Sequence, residues 1–221
     1  MENRAQALKD LGRLDEAILE YRHALAVKPR FGLAWLGLGQ LYEAMGRKAE
    51  AEDCYHRALL NRVDRAPELT TLARFCVSKG WREAAATNYD GALKLNPADA
   101  TTYIEAGQNL EALGRQAEAG HCYAEAVKLS PDSIQAHFLY GLELGRDGKP
   151  ADAAGQFRET VRIMPDLPQA RFNLAMALAN AGDYSEALGE FDKFLKQEPT
   201  NTLAINYEHA LRQKLSQQPP R

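Results

Sequence analysis

Three cysteines, at positions 54, 76 and 122, are too few and too scattered for a disulfide framework, and the odd count leans toward a reducing, cytoplasmic setting without fixing the compartment. No apolar run approaches the roughly 20 residues that span a bilayer, and the opening MENRAQALKD lacks the apolar centre of a signal peptide, so a soluble chain is expected. Charge of one sign is also missing. With 27 basic and 30 acidic residues the net charge is −3, and the two signs are interleaved, which leaves no basic footprint for nucleic acid. Neither a GxxxxGKS phosphate loop nor a strand-borne GxGxxG occurs; Gly37-Leu38-Gly39 lies within a helical pattern.

What the 221 residues do contain is a period. Gly12, Gly46, Gly80, Gly114, Gly148 and Gly182 are each 34 residues apart. Five residues after each stands an alanine (Ala17, Ala51, Ala85, Ala119, Ala153, Ala187), and nine after stands an aromatic (Tyr21, Tyr55, Tyr89, Tyr123, Phe157, Phe191). Pro29, Pro97, Pro131, Pro165 and Pro199 keep the same register, which only Val63 breaks.

Each letter has a physical reason. Apolar residues at helical spacing in 33–45 and 49–60 predict two amphipathic helices per period. The glycine closes the first by taking the left-handed conformation, which costs other residues about 1 kcal/mol. Glu16, Glu50, Glu118, Asp152 and Glu186 then meet the unpaired N–H groups that open the second. The proline ends it, and Asp99, Asp132 and Asp166 are expected to cap the next first helix. Trp35, Leu38, Gly39, Tyr42 and Met45 form one apolar stripe, with small residues at Gly39, Ala73, Gly107, Gly141 and Ala175 where helix axes must approach closely. No single helix pair covers both its apolar faces, so the copies must stack. The fold expected is all-α, a right-handed α-solenoid of stacked antiparallel helix pairs.

This register, with Trp35-x2-Leu38-Gly39-x2-Tyr42 in the fullest copy, resembles the tetratricopeptide repeat. The expected organisation is a solenoid over 1–201, with a partial repeat at 1–31 and full repeats at 32–65, 66–99, 100–133, 134–167 and 168–201. A capping helix at 202–215 follows, its apolar face including Ala204, Tyr207, Leu211 and Leu215, and then a flexible tail at 216–221. Phrases such as EYRHALAVKP and GRLDEAI look similar to the repeats of O-linked N-acetylglucosamine transferase-like proteins. The first copy starts late, with Arg4 where Leu38, Leu72 and Leu174 stand in others, which suggests a piece of a longer protein. Asn61 and Val63 depart from the pattern, so a bend or weak point is expected near 61–67, where Cys76 also replaces a bulky core residue.

The resemblance implies that first helices line a concave groove that takes a partner segment. Positions ten, six and three residues before each turn glycine adjoin the buried stripe but vary in polarity, and they supply the candidate groove residues. The six-before row runs Gln6, Gln40, Arg74, Gln108, Leu142, Met176, and the ten-before row runs Leu36, Thr70, Ile104, Phe138, Phe172. The N-terminal half, with Gln40, Glu43, Arg74, Gln108 and Glu111, suits a peptide backbone; the C-terminal half, with Phe138, Leu142, Phe172 and Met176, suits an apolar anchor. Against this stands ordinary packing, since a Phe and Met stripe at helical spacing also reads as core. The carboxylate clamp known in the family is missing, with Thr70, Thr71, Ile104, Glu105 and Leu139 where it belongs. So is the transferase's asparagine ladder, which only Asn3 and Asn173 would fit.

Catalysis would need a nucleophile with its base, paired carboxylates or converging metal ligands. Cys54 and His56 diverge on a helix, as do His121 and Cys122, while His23, His137 and His209 lie in separate copies. The expectation is a non-enzyme with no metal and no cofactor: a scaffold that binds a peptide or protein segment. The alternative is a regulatory or substrate-selecting arm of a larger enzyme such as a glycosyltransferase, with catalysis outside this chain. A monomer is expected, with end-to-end association through Leu8 and Leu11 as the competing option.

Overall fold

A computed structural model of the chain describes residues 2–60 and 65–217, apart from the side chains of Glu2, Asn3, Gln6 and Asp10. The expectations for Asn61, Val63 and Gln6 and for most of the tail therefore fall outside the described residues. The chain divides into two compact units, Met1–Ala98 and Asp99–Arg221. The first holds α1 (Glu2–Asp10), α2 (Leu14–Val27), α3 (Gly32–Ala44), α4 (Lys48–Leu60), α5 (Ala66–Ser78) and α6 (Arg82–Leu95). The second holds α7 (Ala100–Ala112), α8 (Gln116–Leu129), α9 (Ile134–Arg146), α10 (Pro150–Ile163), α11 (Pro168–Ala181), α12 (Tyr184–Gln197) and α13 (Thr202–Ser216). Among the described residues there is no strand. Within each unit, consecutive helices pack as hairpins (α3 with α4, α5 with α6, α7 with α8, α9 with α10, α11 with α12), the stacked helix pairs of an α-solenoid.

All six turn glycines adopt positive φ, between 69° and 93°. The next residue donates its N–H to a carbonyl five positions back, as Arg47 does to Tyr42 at 2.8 Å and Arg115 to Leu110 at 2.9 Å, so an orphan carbonyl of the ended helix is satisfied. Glu16, Glu50 and Glu118 lie in the first turn of the second helices, but their carboxylates do not cap backbone N–H groups. Arg13, Arg47 and Arg115, three residues earlier, hold them instead.

The helix starts after the prolines correct one expectation. Asp99 does cap α7, accepting from the Thr102 N–H at 3.1 Å. Asp132 and Asp166 do not cap: Ser133 serves α9, and the N-cap of α11 is Leu167, without a side-chain bond. The cap position falls two residues after the proline, where Asp99, Ser133 and Asn201 stand, whereas Asp132 and Asp166 are one residue too early. Asn201 accepts from the Ala204 N–H at 3.0 Å and opens α13.

Where the small residue is glycine, at Gly39, Gly107 and Gly141, the repeated aromatic closes the hairpin against the small residue of its own first helix. A Cβ built on Gly107 would stand 2.5 Å from the Tyr123 ring, and one on Gly141 would stand 2.8 Å from Phe157. The core of the second unit gathers Phe157, Leu174, Leu178, Phe191 and Phe194, with Ala204 and Leu211 of α13 against them and Tyr207 stacked on Phe191 at 5.8 Å. Met45 lies just past α3 and is exposed, so the stripe on that helix ends at Tyr42. Leu8 is buried while Leu11 is 71% exposed, so of the two leucines invoked for end-to-end association only Leu11 is available.

Eleven residues before the turn glycine lies a device with no common letter. Trp35 donates its indole N–H to the Pro29 carbonyl at 2.9 Å, and Arg171 donates to the Pro165 carbonyl at 2.8 Å. His137 places Nε2 2.8 Å from the Pro131 carbonyl. In each case the side chain reaches back six residues and ties the first helix to the end of the preceding repeat. Two of these side chains also bind their own second helix: His137 Nδ1 lies 2.7 Å from Gln156, and Arg171 pairs with Glu190 at 2.8 Å.

Candidate functional site

The candidate groove residues lie on the first helices, and each unit places its own share. In the first unit, Gln40 on α3 is half-buried and accepts from Lys9 Nζ at 3.1 Å. Glu43, one turn on, accepts from the Tyr55 hydroxyl at 2.7 Å and from Lys79, which caps the C-terminus of α5. Lys79 foremost, and Tyr55 after it, holds the Glu43 carboxyl below the usual carboxylate range. Arg74, on α5, is exposed.

The second unit repeats the arrangement of Glu43. Glu111 on α7 accepts from the Tyr123 hydroxyl at 3.1 Å and from Arg146 of α9. In both units a carboxylate three residues before the glycine thus joins its own repeat's tyrosine to a cation from the next first helix. Arg146 also binds the buried Glu143 at 2.9 Å, while the other Glu143 oxygen, Oε1, is buried without a protein partner. Gln108 is exposed beside this cluster's helix.

Phe138 and Leu142 on α9, and Phe172 and Met176 on α11, are all half-buried and border the core. Phe138 meets Phe157 edge-on at 5.8 Å, and Phe172 meets Phe191 and Phe194 at 5.7 and 5.3 Å. Each ring therefore has one side in the core and part of its surface free. Between the first turns of α9 and α11 opens an apolar cavity of about 400 Å3, lined by Ile134, Gln135, Phe138, Leu167 and Gln169. Of these only Phe138 was picked out by sequence. Gln135 and Gln169 share the position thirteen before the glycine, a polar residue in a first turn, which is unremarkable without the cavity beside it.

The chemistry of the rest is quiet. Burial pushes the thiols of Cys54, Cys76 and Cys122 up to about 11, so they are protonated at neutral pH and poor nucleophiles. Among the described residues no group of three or more His, Cys, Asp or Glu side chains is placed to hold a metal ion, and no helix is long and apolar enough to cross a membrane.

Comparison with known proteins agrees with this architecture. A family model described as "Tetratricopeptide repeat" matches residues 78–134 and 138–202, more than half the chain. A second model of that description matches 34–67, and one described as "TPR repeat" matches 5–46. No curated protein sequence matches the chain significantly. Among solved structures, the crystal structure of YrrB, described as a TPR protein with an unusual peptide-binding site, is similar with a TM-score of 0.68 at 20% identity, over 86% of this chain and 97% of that one. MamA is similar with a TM-score of 0.56 at 21% identity, over 72% and 93% of the two chains. PilF of Pseudomonas aeruginosa gives 0.60 at 15% identity, over 95% of each. With the glycine turns, aromatic plugs and paired helices in place along both units, the chain belongs to the tetratricopeptide repeat family.

Proposed function

We propose that this protein is a non-catalytic scaffold that holds a segment of another polypeptide on the face formed by its first helices. The observation that carries the proposal is the apolar cavity between α9 and α11. Phe138 and Leu167 give it walls that an aliphatic or aromatic side chain would fill, and Gln135 and Gln169 stand at its rim with exposed amides. An extended segment satisfies its backbone through such amides while one side chain anchors it. Leu142, Phe172 and Met176 continue the apolar surface along the same two helices, so anchors one helical turn apart are accommodated. Gln108 adds a further amide in this unit, and Gln40 and Arg74 give the first unit a more polar face of its own. Glu43 and Glu111 support these surfaces by fixing neighbouring helices, and their engaged oxygens make them poor ligand contacts. The protonated thiols, two of them buried and that of Cys122 half-buried, accord with a role that involves no covalent chemistry.

The test is selection of binders from a random peptide library on the immobilised chain, followed by affinity measurement by fluorescence anisotropy. Selected peptides should share an apolar residue and bind with micromolar affinity, about −8 kcal/mol. Phe138→Ala and the pair Gln135→Ala, Gln169→Ala should each weaken them about tenfold or more, while the helical melting curve of the amide pair stays unchanged. Peptides insensitive to all three substitutions would place binding elsewhere and reject this face.

A further inference from the structure

The first-helix face leaves a second concavity unexplained. In the first unit a cleft of about 590 Å3 opens between the second helices α2 and α4, floored by Trp35, Leu38 and Tyr42 of α3. Those three residues lie on a different stripe of α3 from Gln40 and Glu43, so the cleft does not belong to the face described above. Two arginines stand in it. Arg57 lies over the Trp35 indole at 4.9 Å, and its Nε binds Asp53 at 2.8 Å. Arg22 donates Nη2 to the Tyr42 hydroxyl at 2.7 Å, and among the described residues no carboxylate forms an ion pair with it.

The second unit shows what such an arginine takes when it can. Arg22 stands ten residues after Gly12, and Glu50, on the facing wall, four after Gly46. The same two positions in the second unit are Arg158 and Glu186, which are joined by two parallel bonds of 3.0 and 2.8 Å between α10 and α12. The difference follows from the residue just after the glycine. Arg47 stands there in the first unit and takes both oxygens of Glu50. Asp183 stands there in the second, and an acid cannot compete for Glu186. Arg22 is left with the seat for a carboxylate and no carboxylate in it.

We propose that this cleft binds an acidic segment of a partner protein. A Glu or Asp carboxylate of the segment takes Arg22 as Glu186 takes Arg158, and a neighbouring aliphatic side chain lies on Leu38 between Trp35 and Tyr42. A carboxylate fits better than a phosphate because Glu50 and Asp53 also line the cleft, and a doubly charged anion would be repelled by them. The site is independent of the first-helix face, so the failure of one reading leaves the other standing.

The chain has two tryptophans, one in the cleft, so Trp35 is its own reporter. In 15N-labelled protein the Trp35 indole N–H signal is assigned by elimination in Trp81→Phe and followed during titration with acetyl-Leu-Glu-Leu-amide. A saturable shift is expected, weakened about tenfold or more by Arg22→Gln or by replacing the peptide's glutamate with glutamine. Arg47→Ala should weaken it too, although Arg22 remains, because Glu50 is then released to fill the seat. A shift that does not saturate, an equal response to the glutamine peptide, or unchanged affinity in Arg22→Gln with native helicity would overturn the proposal.

Discussion

Gly107→Ala is a substitution that helix propensity alone recommends, since alanine in a helix interior is favoured over glycine by about 1 kcal/mol. The structure predicts the opposite sign. The new methyl would meet Tyr123 atoms at 2.5, 2.9 and 3.0 Å, so the ring must withdraw. The ring is buried, 1% exposed, and its hydroxyl is fastened to Glu111, which in turn holds Arg146. Overpacking of this kind costs about 1–3 kcal/mol, and Ala73 and Ala175 occupy the same repeat position in other copies, which places the cost at the lower end. Net destabilisation of about 1 kcal/mol is expected for Gly107→Ala. Gly141→Ala faces Phe157, which has no hydroxyl to hold it, so a ring shift and the propensity gain should leave stability within about 0.5 kcal/mol of the parent. The decisive comparison is a double-mutant cycle read by urea denaturation with far-ultraviolet circular dichroism. Tyr123→Phe cuts the tether, and Gly107→Ala should then cost less in that background, with a coupling of about 0.5 kcal/mol or more. If Gly107→Ala stabilises the parent, or costs the same with and without the hydroxyl, the tethered-ring argument is wrong.

Three further outcomes follow from particular contacts. Asp99→Ala and Asn201→Ala should each cost about 1 kcal/mol by removing a helix cap, whereas Asp166→Ala, which caps nothing, should leave the urea midpoint unchanged. With their pKa values at about 11, Cys54, Cys76 and Cys122 should react with a chromogenic disulfide in the native protein far more slowly than in denaturant, and raising the pH toward 9 should speed the native reaction only through thiolate formation. The Glu43 carboxyl has a folded-state pKa below its unfolded value, so its contribution is fully present above the ordinary carboxylate range and is lost as pH falls from there through the lowered folded-state pKa; Lys79→Met should flatten that part of the acid-unfolding curve, and an unchanged curve would show the pairing to be screened away.

The parts of this fold that were legible in sequence are those where one residue type alone can do a job. Positive φ at a tight turn selects glycine, close axis approach selects Gly39, Ala73 or Gly107, and the gap above them selects a ring, so letters recur every 34 residues. Cap positions were less legible, because serine, asparagine and aspartate all serve and the register differs by one residue between Asp99 and Asp132. The apolar cavity at Phe138 could not be read at all from the row containing it, since Leu167 closes it from the far end of the same repeat and Gln169 from the next one. Glu43 and Glu111 looked like open ligand groups because nothing in the chain order shows that a tyrosine hydroxyl 12 residues on, and a cation some 35 on, reach the same carboxylate.

The side chains that reach back to Pro29, Pro131 and Pro165 have a bearing on how such arrays grow. Each grips the preceding copy through a main-chain oxygen, a group that every residue possesses, so this joint asks nothing of its neighbour's sequence. The specific matches, Arg171 with Glu190 and His137 with Gln156, lie inside one copy and are inherited together. A copy duplicated or transplanted as a whole therefore carries its own lock and key and meets a universal socket. Recombination that breaks between the two helices of one copy separates Arg171 from Glu190, and leaves a largely buried charge to find another partner.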